Sequence, residues 1–287
     1  MTDCLAALVE QELALPVDPR VGAMAAAIAG RHGAASRAVL FYGSCLREHL
    51  LDRQMLDFYL IVSDYRAAYD KAWLARANAL VPPNVFPFQH DGLAAKYAVL
   101  SEADFHRLNG PETRNVSVWA RFAQPSRLVW AADAAAHSKA IAAVARAAPT
   151  LLAAAGRVEG EDRLGWWRRA FALTYSAELR AERKGRSGSV VDADPDRYER
   201  FGAAAVAAIP ADAPGGGWAR RRIEGKALSV VRLAKASATY AGGAEYIAWK
   251  INRHAGTDIA LKPWQRRHPL LGALSLLPRL LRWGAIR

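Results

Sequence analysis

Asp57 is the one acid in the apolar run MLDFYLIV (residues 55–62), and it follows Ser44 by thirteen residues. Gly43-Ser44 in turn closes another apolar run, RAVLFYG (37–43). Alternation along 55–62 puts Asp57, Tyr59 and Ile61 on one face of a strand, with Phe58, Leu60 and Val62 on the other. A carboxylate in such a strand must meet a cation, a metal or several donors, because burying it alone is costly. A Gly-Ser turn that opens a helix lets backbone N–H groups and a hydroxyl approach phosphates. These residue types suit nucleotidyl transfer. That reaction needs an attacking oxygen aligned on the α-phosphate and the pyrophosphate charge neutralised as it leaves, which a Mg²⁺ on a strand carboxylate achieves. Such sites usually carry two acids, two positions apart, on the second strand; here the partner position is Tyr59. The same pattern also fits a plain turn followed by a carboxylate that caps a loop.

The elements that must position these groups can be read around them. Residues 20–32 predict a helix stopped by Gly33, 37–43 a buried strand, and Ser44–Leu51 a helix. MLDFYLIV predicts a second central strand. Asp64 occupies an N-cap position before the helical YRAAYDKAWLARANAL. After the proline-punctuated VPPNVFPFQ, an Asp91-Gly92 turn lies between two strand patterns, the later being AAKYAVLS (94–101). From residue 132 helical patterns dominate, the Ala-rich 131–155 reading as one helix. SVV (189–191) is the remaining strand candidate, and ERKGRSGSVVDADPD (182–196) reads as a loop. The fold class expected is α+β: a nucleotidyltransferase-like domain over 1–131, a helical domain over 132–262, with a winged helix as one form of it, and a docking segment over 263–287.

The chain has 287 residues, a hydrophobic fraction of 52% and a formal net charge of +12. It is therefore expected to fold, and its charge suits anionic membrane surfaces, nucleic acid or polyphosphates. Two cysteines, Cys4 and Cys45, give no disulfide framework and no metal spacing, which predicts a reducing, cytoplasmic setting. The N-terminal MTDCLAALVEQELALP lacks the basic start and unbroken apolar core of a signal peptide. No run reaches the length of a spanning helix, so membrane association is expected to be peripheral, at the inner face.

YGS (42–44), MLDFYLIVSD (55–64), KYAVLS (96–101) and ARFAQP (120–125) occur in that order and at those separations. As a set they resemble the mitochondrial-type CTP:phosphatidate cytidylyltransferases, the family of the mitochondrial translocator assembly and maintenance protein. The resemblance covers about residues 37–130. It implies a peripheral membrane enzyme that makes CDP-diacylglycerol and pyrophosphate from CTP and phosphatidic acid, using Mg²⁺. That family also has one acid in the second strand, so Tyr59 conforms to it. The resemblance further implies that Gly43 and Ser44 hold the CTP phosphates, that Asp57 binds Mg²⁺, and that Lys96 and Arg121 bring positive charge to them. Read without it, Lys96 also fits a solvated strand-end lysine, and Arg121 a surface helix residue. Ser63-Asp64 falls where the family has paired acids. Asp64 is read as a cap, because seven residues of strand place it roughly 20 Å or more from Asp57.

A soluble enzyme that acts on a bilayer lipid must dock. In KPWQRRHPLLGALSLLPRLLRWGAIR (262–287), helical spacing groups Leu270, Leu274, Leu277 and Leu281. Arg279, Arg282 and Trp283 lie on the other side, and Pro278 divides the segment. It reads as an interfacial helix, with packing of the leucines on the protein body as the alternative. Relatives of the family resembled also use their C-terminal ends at the membrane. The Trp/Arg-rich stretch 163–191 is a candidate for meeting phosphate headgroups, or a solvated helix face. In 225–256 the apolar residues read as core. Two other functions remain open at this stage: a nucleotidyltransferase with another phosphorylated acceptor, and a basic nucleic-acid-binding protein. No base-reading motif supports the second, so nucleic acid is not an expected partner.

Overall fold

The computed structural model describes residues 2–48, 51, 54–178, 190–239 and 262–263. Within them the chain builds one mixed sheet covered by helices on both faces, a mixed α/β arrangement compatible with the α+β expectation. The strands are β1 (Ser36–Tyr42), β2 (Met55–Val62), β3 (Asn84–His90), β4 (Leu93–Ser101) and β5 (Ser126–Ala131), in the spatial order β3-β4-β2-β1-β5. Only the central β2–β4 pair is parallel.

The alternation read in β2 sorts its side chains between two cores. Phe58, Leu60 and Val62 face one that includes Val21, Met24 and Ile28 of α2 (Pro19–His32). Cys45 of α3 (Ser44–Glu48), Tyr65 of α4 (Tyr65–Ala68) and Ala75 of α5 (Ala72–Leu80) complete that layer. Tyr59 and Ile61 face the larger core. It takes in α1 (Thr2–Leu13), α6 (Glu102–Asn109), α7 (Trp119–Phe122), α8 (Ala134–Ala145), α9 (Ala147–Ala155), α10 (Arg163–Ala177) and α11 (Pro195–Ala207). This core runs without a break from Leu5 to Ala205 and so crosses the boundary expected at residue 131. Among the described residues after 131, every regular element is helical. The last, α12 (Trp218–Thr239), packs on α10 and on the edge strand β3. The Trp218 indole anchors it by donating to the Ala154 carbonyl at 2.9 Å.

Three local expectations change. The single helix over 131–155 is two, meeting at Arg146, because Pro149 can neither donate to the carbonyl of residue 145 nor pass it sterically. The helix after Asp64 breaks at Tyr69, whose extended backbone turns its ring against His32 and Phe86. Val190 and Val191 are helical and buried rather than a strand; the turn they form also shortens the loop expected over 182–196, which gives way to α11 at Pro195. Residues 179–189, 240–261 and 264–287 lie outside the described residues, and with them the second half of the core expected over 225–256 and all but the first residue of the docking segment expected over 263–287. No helix of the described residues is long and apolar enough to cross a membrane.

Other readings stand as made. Asp91 and Gly92 turn β3 into β4 with φ of 46° and 76°, the left-handed pair that a two-residue hairpin needs. Pro87 sits on the edge strand β3, where a missing N–H is tolerated. The Asp64 carboxylate accepts from the N–H groups of Arg66 at 2.8 Å and Ala67 at 2.9 Å, so it is a helix cap. Asp64→Ala should therefore cost about 1 kcal/mol of stability in denaturant unfolding. It should also leave any nucleotidyl transfer at the parent rate, which separates a cap from a metal ligand.

Candidate active site

Antiparallel pairing of β1 and β2 sets Tyr42 opposite Asp57, so the chain leaving β1 passes directly over that carboxylate. Gly43 takes this step with φ of 97°, and a Cβ placed there would lie 2.8 Å from Asp57 Oδ2. Only glycine accepts both the conformation and the approach. Ser44 follows at once and opens α3, which Cys45 ties to β2 through a 3.5 Å bond from Sγ to the Met55 carbonyl.

On the other side of β2, the parallel register places Lys96 level with Asp57. Its Nζ lies 2.9 Å from Asp57 Oδ1, with the two side chains 28% and 18% exposed, so the pair sits at the margin of solvent. Oδ1 itself is buried and meets Lys96 as an ion pair. Lys96 thus supplies the cation that the carboxylate requires.

Tyr59, where a second acid was missing, is 2% exposed. Its ring packs against Tyr42 at 5.3 Å and Phe122 at 5.2 Å between centroids. A carboxylate at 59 would displace an aromatic contact in the core. The cation belonging to this side is Arg121 of α7, which donates to the Ser117 carbonyl and lies 3.9 Å from Glu178 Oε1. Burial works against its charge, but Tyr59, Glu178, Tyr42 and Asp57 outweigh it and hold the guanidinium protonated. Burial, then Asp57 and Tyr59, push the Tyr42 phenol well above its usual range, leaving it neutral, with Arg121 donating to its oxygen.

Two further cations reach this neighbourhood from α12. Arg232 donates through Nε and Nη2 to the Pro82 carbonyl, at 2.9 and 2.7 Å, and through Nη1 to Ser117 Oγ at 2.9 Å. Lys235 donates to the Val81 carbonyl and, at 2.8 Å, to that of Pro83. Burial, with Arg232 beside it, pulls the Lys235 ammonium down to about 7. Burial also lowers Arg232, against the pull of Tyr59 and Glu178.

Gly43, Asp57, Lys96 and Arg121 therefore converge, with Ser44 one residue along the chain. Arg232, Lys235, Glu178 and Tyr42 were not anticipated. The signal for two of them was Arg232 and Lys235 at helical spacing i, i+3 within the otherwise apolar VVRLAK. The Trp/Arg stretch proposed for headgroups is used differently where it is described. Trp166 and Trp167 are buried, Arg168 pairs with Asp192, and Arg169 is engaged with Glu161.

Among the described residues, no three His, Cys, Asp or Glu side chains cluster as metal ligands. The donors at Asp57 nevertheless fit a hard cation that arrives with its nucleotide. They belong to a carboxylate whose Oδ2 lies on the Gly43 side, away from the contact of Oδ1 with Lys96, and Mg²⁺ commonly takes one or two carboxylates with phosphates and water completing its shell. Comparison with models of known protein families gives no match, and comparison with curated proteins gives none either.

Proposed function

We propose that this protein is a nucleotidyltransferase-fold enzyme that transfers the cytidylyl group of CTP to phosphatidic acid, releasing pyrophosphate and CDP-diacylglycerol. The observation that supports this best is the convergence on one strand carboxylate of a glycine that admits backbone approach, a lysine in register and a buried-side arginine. Asp57 would hold Mg²⁺, which when bound neutralises triphosphate charge as a Lewis acid. Gly43 and Ser44 would bring N–H groups and a hydroxyl to the phosphates. Lys96 and Arg121 add fixed positive charge where negative charge builds on the leaving group.

The acceptor phosphate is anionic at neutral pH, so no residue need remove a proton from it. One of its oxygens forms a bond to the α-phosphorus, the bond from that phosphorus to the bridging oxygen breaks, and pyrophosphate leaves with the electron pair. The chain's work is alignment and charge neutralisation. Docking at the inner face of an anionic membrane falls to the basic, leucine-bearing segment 263–287. The alternative within the same chemistry is transfer to a different phosphorylated lipid or small acceptor.

Incubation with α-labelled CTP, Mg²⁺ and phosphatidic acid in vesicles tests the reading. Label should enter a CDP-lipid. Label transferred only to water-soluble phosphomonoesters would move the assignment to the alternative acceptor, and no transfer to any acceptor would overturn both.

A further inference from the structure

At its start, α12 engages an acid: Arg220 and Arg114 share Glu224 at 2.7 and 3.1 Å, while the neighbouring Arg221 is held by the carbonyls of Gly216, Thr113 and Arg114. Near its end it does not. Arg232 and Lys235 are held by three consecutive backbone carbonyls, Val81 to Pro83, and one serine hydroxyl. Carbonyls orient a cation but cancel none of its charge. Arg121 meets Arg232 at Ser117, one guanidinium donating to its carbonyl and the other to its hydroxyl.

Three cations, Arg121, Arg232 and Lys235, thus lie together around Ser117 and residues 81–83. Among the described residues, the carboxylates bearing on them are Asp57, engaged by Lys96, and Glu178. Among the described residues the basic groups here outnumber the acids beside them, in a partly buried place, an arrangement that is costly unless an anion completes it.

We propose that Arg232 and Lys235, with Arg121, form a second anion site beside the Asp57 site, and that it takes the phosphomonoester of the acceptor. The assignment rests on the proposed function for the word acceptor; the anion site itself does not. Two phosphates must meet for nucleotidyl transfer, and Arg121, which shares Ser117 with Arg232 and feels the charge of Asp57, links the two groups. The planar Arg232 guanidinium suits a phosphate edge, and the Lys235 ammonium adds a point charge. The acceptor would then be gripped by a helix distant in sequence from the CTP-binding turn, so the two substrates are recognised by separate parts of the chain.

Calorimetric titration of the full chain decides this, with dihexanoyl phosphatidate, inorganic phosphate and CTP with Mg²⁺ as separate probes. Arg232→Gln and Lys235→Met should each weaken dihexanoyl phosphatidate about 10-fold or more, the loss of one charge-assisted contact. CTP affinity should stay within about 2-fold, and Arg232→Lys should recover part of the loss. Equal weakening of CTP and phosphatidate would assign the cluster to the triphosphate and overturn the proposal, as would unchanged phosphatidate binding. Inorganic phosphate binding as tightly as phosphatidate would overturn the acceptor assignment. Absence of CTP binding in the parent would sink the proposed function, while the phosphatidate titration still judges the anion site. If Arg232→Gln loses its thermal transition, Lys235→Met, which disturbs only two carbonyl bonds, provides the test.

Discussion

Asp57→Asn should lower CDP-lipid formation by on the order of 10³-fold while the protein remains folded. Asparagine keeps the shape of the side chain and a carbonyl oxygen near Lys96, but it removes the charge on which a cation would rest. Loss of the ion pair is expected to cost only about 1 kcal/mol, since both partners retain contact with water at 18% and 28% exposure. The check is label transfer from CTP alongside thermal unfolding. A variant as active as the parent would show that Asp57 is no more than the structural partner of Lys96, and the site assignment would fail.

Gly43→Ala is the second large effect. The added methyl would lie 2.8 Å from Asp57 Oδ2 and 3.3 Å from Asp57 Cβ, in a backbone conformation with φ of 97° that alanine resists. The flexible part of that contact is the carboxylate, so the methyl should push it away from Lys96. Expected outcomes are a loss of about 10²-fold in transfer rate and about 1–3 kcal/mol of stability. The distinguishing measurement is CTP affinity, which should fall with the rate if Gly43 lies against the nucleotide. A rate close to that of the parent would mean that the turn lies outside the reaction path.

These two positions show what the sequence makes legible. Gly43 and Asp57 stand out because each breaks a local rule: a glycine ends an apolar strand, and an acid interrupts another. The strands, the hairpin at Asp91-Gly92 and the cap at Asp64 follow from short-range patterns of the same kind. Lys96 could be paired with Asp57 only once the parallel register of β2 and β4 was known, because its own surroundings in sequence are ordinary. Arg232 and Lys235 were hidden more deeply. Their role depends on α12 crossing back to residues 81–83, about 150 positions earlier in the chain, a contact that no periodicity encodes. The break at Arg146 was visible in Pro149 and outweighed by the alanine-rich run around it. Tyr59 is explained by the core it fills rather than by the acid it replaces.

The unbroken core from Leu5 to Ala205 also sets an order of events during synthesis. All five strands have been made by Ala131, yet Leu40, Tyr59, Ile61 and Leu100 on one sheet face are covered in part by helices that come later. Glu12 and Arg197, a buried pair 185 positions apart, can meet only after most of the chain has emerged. At about 5–20 residues per second, the nascent sheet would wait on the order of 4–15 s for the last of this cover. For that interval the apolar face of the sheet lacks the helices that cover it in the complete fold.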